Sequence, residues 1–135
     1  MTLRLWLSVN WRWQIKGLMK ILEPYGNTLE LAESHPEALA TIKNINAKGV
    51  PVVAVLLSGR PLIINQELAE VASFVAAWLP GSEGQGVADV LLGDYDFQGK
   101  LSFSWPKEPK AELNLGDDDY DPLFSFGYGL NYGQN

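Results

Sequence analysis

Eight consecutive residues, "VPVVAVLL" from Val50 to Leu57, carry no charged or hydrogen-bonding side chain. Four of them are valine, and turn residues close the run at both ends: Gly49 before it, Ser58-Gly59 after it. A β-branched run of this length between turns reads as a strand. Because apolar and polar residues do not alternate, it reads as a strand covered on both faces, as central strands of parallel sheets are. The preceding segment is helical in pattern. "SHPE" puts Ser34 at a cap with Glu37 three residues on, and Pro36 is tolerated in the first turn. Leu39, Ile42 and Ile45 then follow along one stripe, and Gly49 after Lys48 marks the stop. A helix, a very short loop and a buried strand together are α/β grammar, and they dominate what this chain can become.

The pattern continues beyond the strand. "SGRP" (58–61) is a turn directed by Pro61, and "LIIN" is a short apolar piece. "QELAEVA" predicts about two helical turns, and "SFVAAWL" predicts a second buried strand ending at Leu79. Pro80-Gly81 then turns the chain into "EGQGVADVLLG", a helix with Val87, Val90 and Leu91 on one face, stopped by Gly93. The glycines at 81, 84 and 86 are spaced G-x-x-G-x-G, which differs from the dinucleotide order G-x-G-x-x-G. No Lys-Ser/Thr pair follows, and Glu83 at the helix start repels phosphate. The stretch is therefore expected to be a tight strand-to-helix turn and not a nucleotide cradle. "KLSFSW" alternates like an edge strand ended by Pro106, and the aromatic, Gly-rich remainder is expected to be loop with short edge pairing. "GDDDYD" lacks the EF-hand spacing and is expected to be a solvated acidic loop.

Composition narrows the function classes. The 135 residues suit one domain, and 47% hydrophobic against 19% charged residues is globular. The net charge of −6 comes without a basic stripe, which disfavours nucleic acid and anionic membrane surfaces as partners. Without cysteine there are no disulfides and no thiolate metal sites. His35 is the single histidine, which argues against a His-based metal site or triad; a solvated place at a helix start is expected. No cofactor is expected. Residues 1–22 stand apart, with three of the five Trp, four of the ten Lys and Arg, and no acid. They read either as a strand and a short helix or as an atypical leader of unknown origin. Their apolar patch is broken before a signal-peptide core forms, so the compartment stays open.

Several blocks, in order and at consistent spacing, resemble one family: "SGRP", "WLPGSEG", "ADVLLGD", "FSWP" and "FGYGL". Together they look like the C-terminal α/β domain of family-3 glycoside hydrolases, closest to β-glucosidases and exo-β-glucanases. The match runs from about Glu37 to Tyr132, and the domain is taken as 23–135. The resemblance implies an α/β three-layer sandwich with a mostly parallel sheet, incomplete here at its N-terminal side, and a loop-rich aromatic C-terminal tail. It implies a β-glucoside or β-glucan as the parent substrate, and parents that are often periplasmic or secreted. It also implies a (β/α)8 barrel partner, as a domain or a separate chain, that carries an Asp nucleophile. The sugar pocket then lies at the boundary between the two.

In the exo-glucanase branch the acid/base is a Glu just beyond a Pro-Tyr pair. Pro24-Tyr25 is retained here, but the position of that Glu falls near Gly26-Asn27. Glu23 and Glu30 are the neighbouring carboxylates and stand as acid/base candidates, with solvated loop residues as the alternative. Arg60, Trp78 and Glu83 stand as substrate-binding candidates. The plainer expectations are an ion pair that holds the turn for Arg60, core packing for Trp78 and helix capping for Glu83. A barrel of about 250 residues does not fit in 135, so the isolated chain is expected to show little or no hydrolysis. The other readings are a non-catalytic carbohydrate-binding or docking module and a degraded gene product.

Overall fold

A computed structural model of the chain describes residues 28–109 and 113–133. The leader, Glu23 and the Pro24-Tyr25 pair lie outside the described residues. The elements in order are α1 (Leu31–Ser34), α2 (Pro36–Asn46), β1 (Val53–Leu56), α3 (Asn65–Leu68), β2 (Ser73–Ala76) and α4 (Gly84–Leu92). β1 and β2 pair in parallel, with Val53 opposite Ser73 and Leu56 opposite Ala76. The crossover between them contains α3, as parallel pairing requires. The α/β class and the parallel sheet are as expected, and among the described residues the sheet has two strands and stays open.

Helix α2 starts one residue later than "SHPE" suggests. Ser34 closes α1, and its hydroxyl donates back to the carbonyls of Glu30 and Leu31. His35 takes the cap position at φ −138° and ψ 60°. The cause is Pro36, whose ring keeps the preceding residue out of helical geometry and so breaks the helical path at His35. The His35 ring is half exposed and lies 3.5 Å from the Glu37 carboxylate. Leu39 is buried, Ile42 and Ile45 are half-buried, and Gly49 turns at φ +71°, as the stripe and the stop predicted.

The strand at 50–57 corrects an expectation. It forms, but it is not covered on both faces among the described residues: Val50, Val53 and Leu57 are 43%, 42% and 39% exposed. The two-stranded sheet leaves β1 with a single neighbour, β2. Strand β2 likewise buries only Val75. It stops at Ala76, short of Leu79, because Trp78 adopts φ +54°, which no strand continues through. Helix α3 is a single turn where two were expected, ending at Leu68 with Ala69 as its cap. Helix α4 ends as predicted, with Gly93 left-handed at φ +90° and its N–H returned to the Val90 carbonyl.

The core gathers between the sheet and the tail. Leu56, Leu62, Ile64 and Trp105 form its buried centre, with Phe74, Trp78, Phe103 and Phe124 packed against it. "KLSFSW" pairs antiparallel with the tail itself. Trp105 N donates to Phe124 O and Leu123 N to Trp105 O, both at 2.8 Å. Further along, Leu101 N donates to Tyr128 O and Gly127 N to Leu101 O, also at 2.8 Å. Buried Trp105 places its indole N–H 2.8 Å from the Leu62 carbonyl. That bond ties the tail to the crossover and leaves no orphan donor under the ring.

Candidate functional site

In open parallel sheets the loops after the strand carboxyl ends face the ligand crevice. Here those loops are 57–61 after β1 and 77–83 after β2, and they are locked to each other. Ser58 N donates to Trp78 O at 3.1 Å. The Ser58 hydroxyl donates to the Arg60 carbonyl at 2.7 Å and lies 3.2 Å from the Arg60 N–H. A side chain at Gly59 would meet the exposed Leu79 Cδ1 at 3.3 Å, so the two loops touch here through a side chain that can shift. The left-handed backbone at Trp78 is uncommon for a bulky residue, and such strain persists only where the surroundings over-determine it.

The sequence candidates divide on this frame. Arg60 is half-buried, and its Nη2 reaches the Thr28 carbonyl at 3.4 Å, so it spans from the β1 loop to the approach of α1. Trp78 is half-buried with its ring centroid 5.6 Å from Phe103 and 5.7 Å from Trp105, which is the core packing expected of it. Glu83 is exposed at the cap of α4. It makes no side-chain capping bond, contrary to the plainer expectation, and accepts the Ser82 hydroxyl at 3.1 Å instead. Glu30 is half-buried at the cap of α1, and its N–H donates to the Thr28 hydroxyl at 3.0 Å. Its backbone pairs in parallel with Ile63. Thr28 thus joins Glu30 and Arg60 beside the β1 loop, while Trp78 and Glu83 belong to the β2 loop.

One carboxyl escaped the sequence reading. Glu67 of α3 is 2% exposed, and neither of its oxygens has a hydrogen-bond partner among the described residues. Burial pushes its pKa up, and the nearby Glu30 carboxylate adds to the rise. Its own backbone N–H and the Lys43 ammonium oppose the shift. The available signal was proximity: Glu67 follows three residues after Leu62–Ile64, an apolar run that is buried. Asp96 also went unremarked, although its Oδ1 accepts the N–H groups of Phe97 at 2.7 Å and Tyr132 at 2.9 Å and so holds the tail to the end of α4. The acidic loop pairs outward, with Asp121 2.9 Å from Lys107 Nζ. Among the described residues no group of three His, Cys, Asp or Glu is placed to hold a metal ion.

The arrangement offers one guanidinium, one indole edge and rigid backbone at the strand carboxyl ends, which suits binding and orientation. Residues 24–132 match the Glycosyl hydrolase family 3 C-terminal domain. The chain belongs to that family. Its described part superposes on an exo-1,3/1,4-beta-glucanase from a Pseudoalteromonas species with a TM-score of 0.73 at 57% identity. That match covers 79% of this chain and 14% of the other. A beta-glucosidase from Listeria innocua gives 0.62 at 28% identity, over 78% of this chain and 18% of that one. By sequence, a periplasmic beta-glucosidase of Salmonella typhimurium is 35% identical over 114 residues, 67% of this chain and 15% of its own length. This family-3 domain therefore spans about one-sixth of the relatives it matches.

Proposed function

We propose that this family-3 domain serves as the C-terminal α/β part of a retaining β-glucosidase or exo-β-glucanase. It forms one wall of the sugar pocket with the loops at the carboxyl ends of β1 and β2. The observation that carries this reading is the locked pair of loops, Ser58–Pro61 against Trp78–Pro80, which holds Arg60 and Trp78 at the edge where open parallel sheets bind ligands. The 57% identity to an exo-1,3/1,4-beta-glucanase supports the activity class.

Retaining hydrolysis needs a nucleophilic carboxylate and an acid/base carboxyl roughly 5–5.5 Å apart. In this reading the nucleophile comes from a (β/α)8 barrel outside these 135 residues. The acid/base candidates within them are Glu23 and Glu30. Arg60 donates to a sugar hydroxyl or to the barrel, Trp78 offers a ring edge, and Glu83 accepts from a hydroxyl. Adding this chain to a barrel-bearing family-3 chain that lacks its second domain should restore release of terminal glucose from a β-glucan. Arg60→Ala should weaken that restoration while the chain keeps its fold. Full restoration by the Arg60→Ala chain would remove Arg60 from the site, and no restoration by the unaltered chain would count against the docking geometry.

A further inference from the structure

Glu67 lies on α3, a helix of one turn, with its carboxyl buried. α3 packs on both α1 and α2. Two charges reach Glu67 from outside its own helix: Glu30 on the approach to α1, and Lys43 on α2. Glu33 on α1 and Glu37 on α2 are exposed to solvent, and Glu70, just past α3, takes the Asn46 amide at 3.1 Å. No metal cluster among the described residues includes Glu67. An ionised carboxylate in that place would be desolvated, without a donor from any other described residue, and opposed by a like charge, whereas the neutral acid avoids the first and third of these costs.

What α3 holds gives the carboxyl its consequence. The residues just before it, Leu62 to Ile64, are buried in the core, and the Leu62 carbonyl accepts the Trp105 indole N–H. Asn65, the first residue of α3, donates its amide to the Lys107 carbonyl at 2.9 Å. Ile63 exchanges backbone bonds with Leu29 and Leu31, beside the Thr28 carbonyl that Arg60 contacts. The seat of α3 is therefore shared with the tail and with the Thr28–Arg60 contact beside the β1 loop.

We infer that Glu67 is a proton-dependent latch: as the neutral acid it lets α3 seat against α1 and α2, and on losing its proton it loosens that seat and the loops hung from it. The sign follows from linkage. The folded state holds the Glu67 proton to higher pH than the unfolded chain does, so stability falls as pH rises from the ordinary glutamate range through the raised folded-state value, then levels. This inference stands on the burial and neighbours of Glu67 and does not depend on the hydrolase reading.

The test is denaturant unfolding of the full chain between pH 4 and pH 9, alongside amide hydrogen exchange corrected for intrinsic rates. The unaltered chain should lose stability as pH rises, with Ile63 to Leu68 amides opening more at high pH while Val55 and Val75 hold. Glu67→Gln should flatten both trends, and Glu30→Gln should move the loss to lower pH by removing the like charge. Infrared difference spectra should show a protonated-carboxyl band that persists above the ordinary glutamate range and disappears in Glu67→Gln. If that variant does not fold, exchange at Ile63 to Leu68 in the unaltered chain decides: opening that does not increase with pH overturns the inference. An unaltered chain whose protonated-carboxyl band is gone above the ordinary glutamate range, or the same pH trend in both Glu67→Gln and the unaltered chain, would overturn the inference.

Discussion

Trp105 and Glu67 are equally buried, each at 2% exposure, yet the regions around them are built on opposite terms. Trp105 sits where sheet, crossover and tail meet. Its ring packs against Trp78, Phe103 and Phe124, and its one polar atom is satisfied by the Leu62 carbonyl. Glu67 sits in the corner of three helices with two polar atoms and no donor for either among the described residues. The first region gains from burial and loses nothing. The second holds a group whose burial costs least while it keeps a proton. The comparison teaches that depth alone does not measure stabilisation, because the polar account of each buried residue sets the sign.

The largest effect should come from emptying the satisfied region. Trp105→Ala removes the ring and leaves a cavity under the crossover, for a loss of about 3–5 kcal/mol in urea unfolding. A loss under about 1 kcal/mol would mean that the tail is not part of the cooperative core. The opposite result is expected in the helical corner. Glu67→Leu replaces an undonated carboxyl with an apolar side chain of similar size and should stabilise the chain at neutral pH by about 1–3 kcal/mol. The gain should shrink toward pH 4, where the native carboxyl is already neutral. Destabilisation at every pH would show that Glu67 has a partner the comparison omits. The smallest effect calibrates both. Gly93 is exposed, and nothing lies within 4 Å of an added Cβ, so Gly93→Ala strains only the φ +90° backbone, for a loss of about 1–2 kcal/mol.

The two regions also differ in how far the sequence discloses them. The helix at 36–46, the strand around Val53–Leu56, the turn at "SGRP" and the Gly93 stop all carry local signals, and each is present. What local signals miss is tertiary. "VPVVAVLL" reads as doubly covered because its composition is that of a central strand, but cover depends on which elements lie beside it, and here β1 has one strand neighbour. "SFVAAWL" reads as a strand to Leu79, since nothing in the residue Trp78 announces a left-handed backbone. Ser34 reads as a cap until Pro36 is allowed to act backward on His35. At the candidate site, Arg60 and Trp78 are legible from their motifs, but the bond from Ser58 to Trp78 that joins their loops spans twenty residues and has no sequence signature. Glu67 hides for a related reason: a Glu in a short polar helix looks solvated until the aliphatics beside it are seen to be core.

The proposed division of labour is that this domain shapes and orients, while the bond-breaking carboxylate pair is completed from outside these residues. The direct measurement is release of the aryl group from an aryl β-glucoside by the purified 135-residue chain, made alongside a cooperative unfolding curve on the same sample. The account predicts a folded protein with no turnover above buffer. Turnover at the rate of an ordinary β-glucosidase by that folded chain would contradict it.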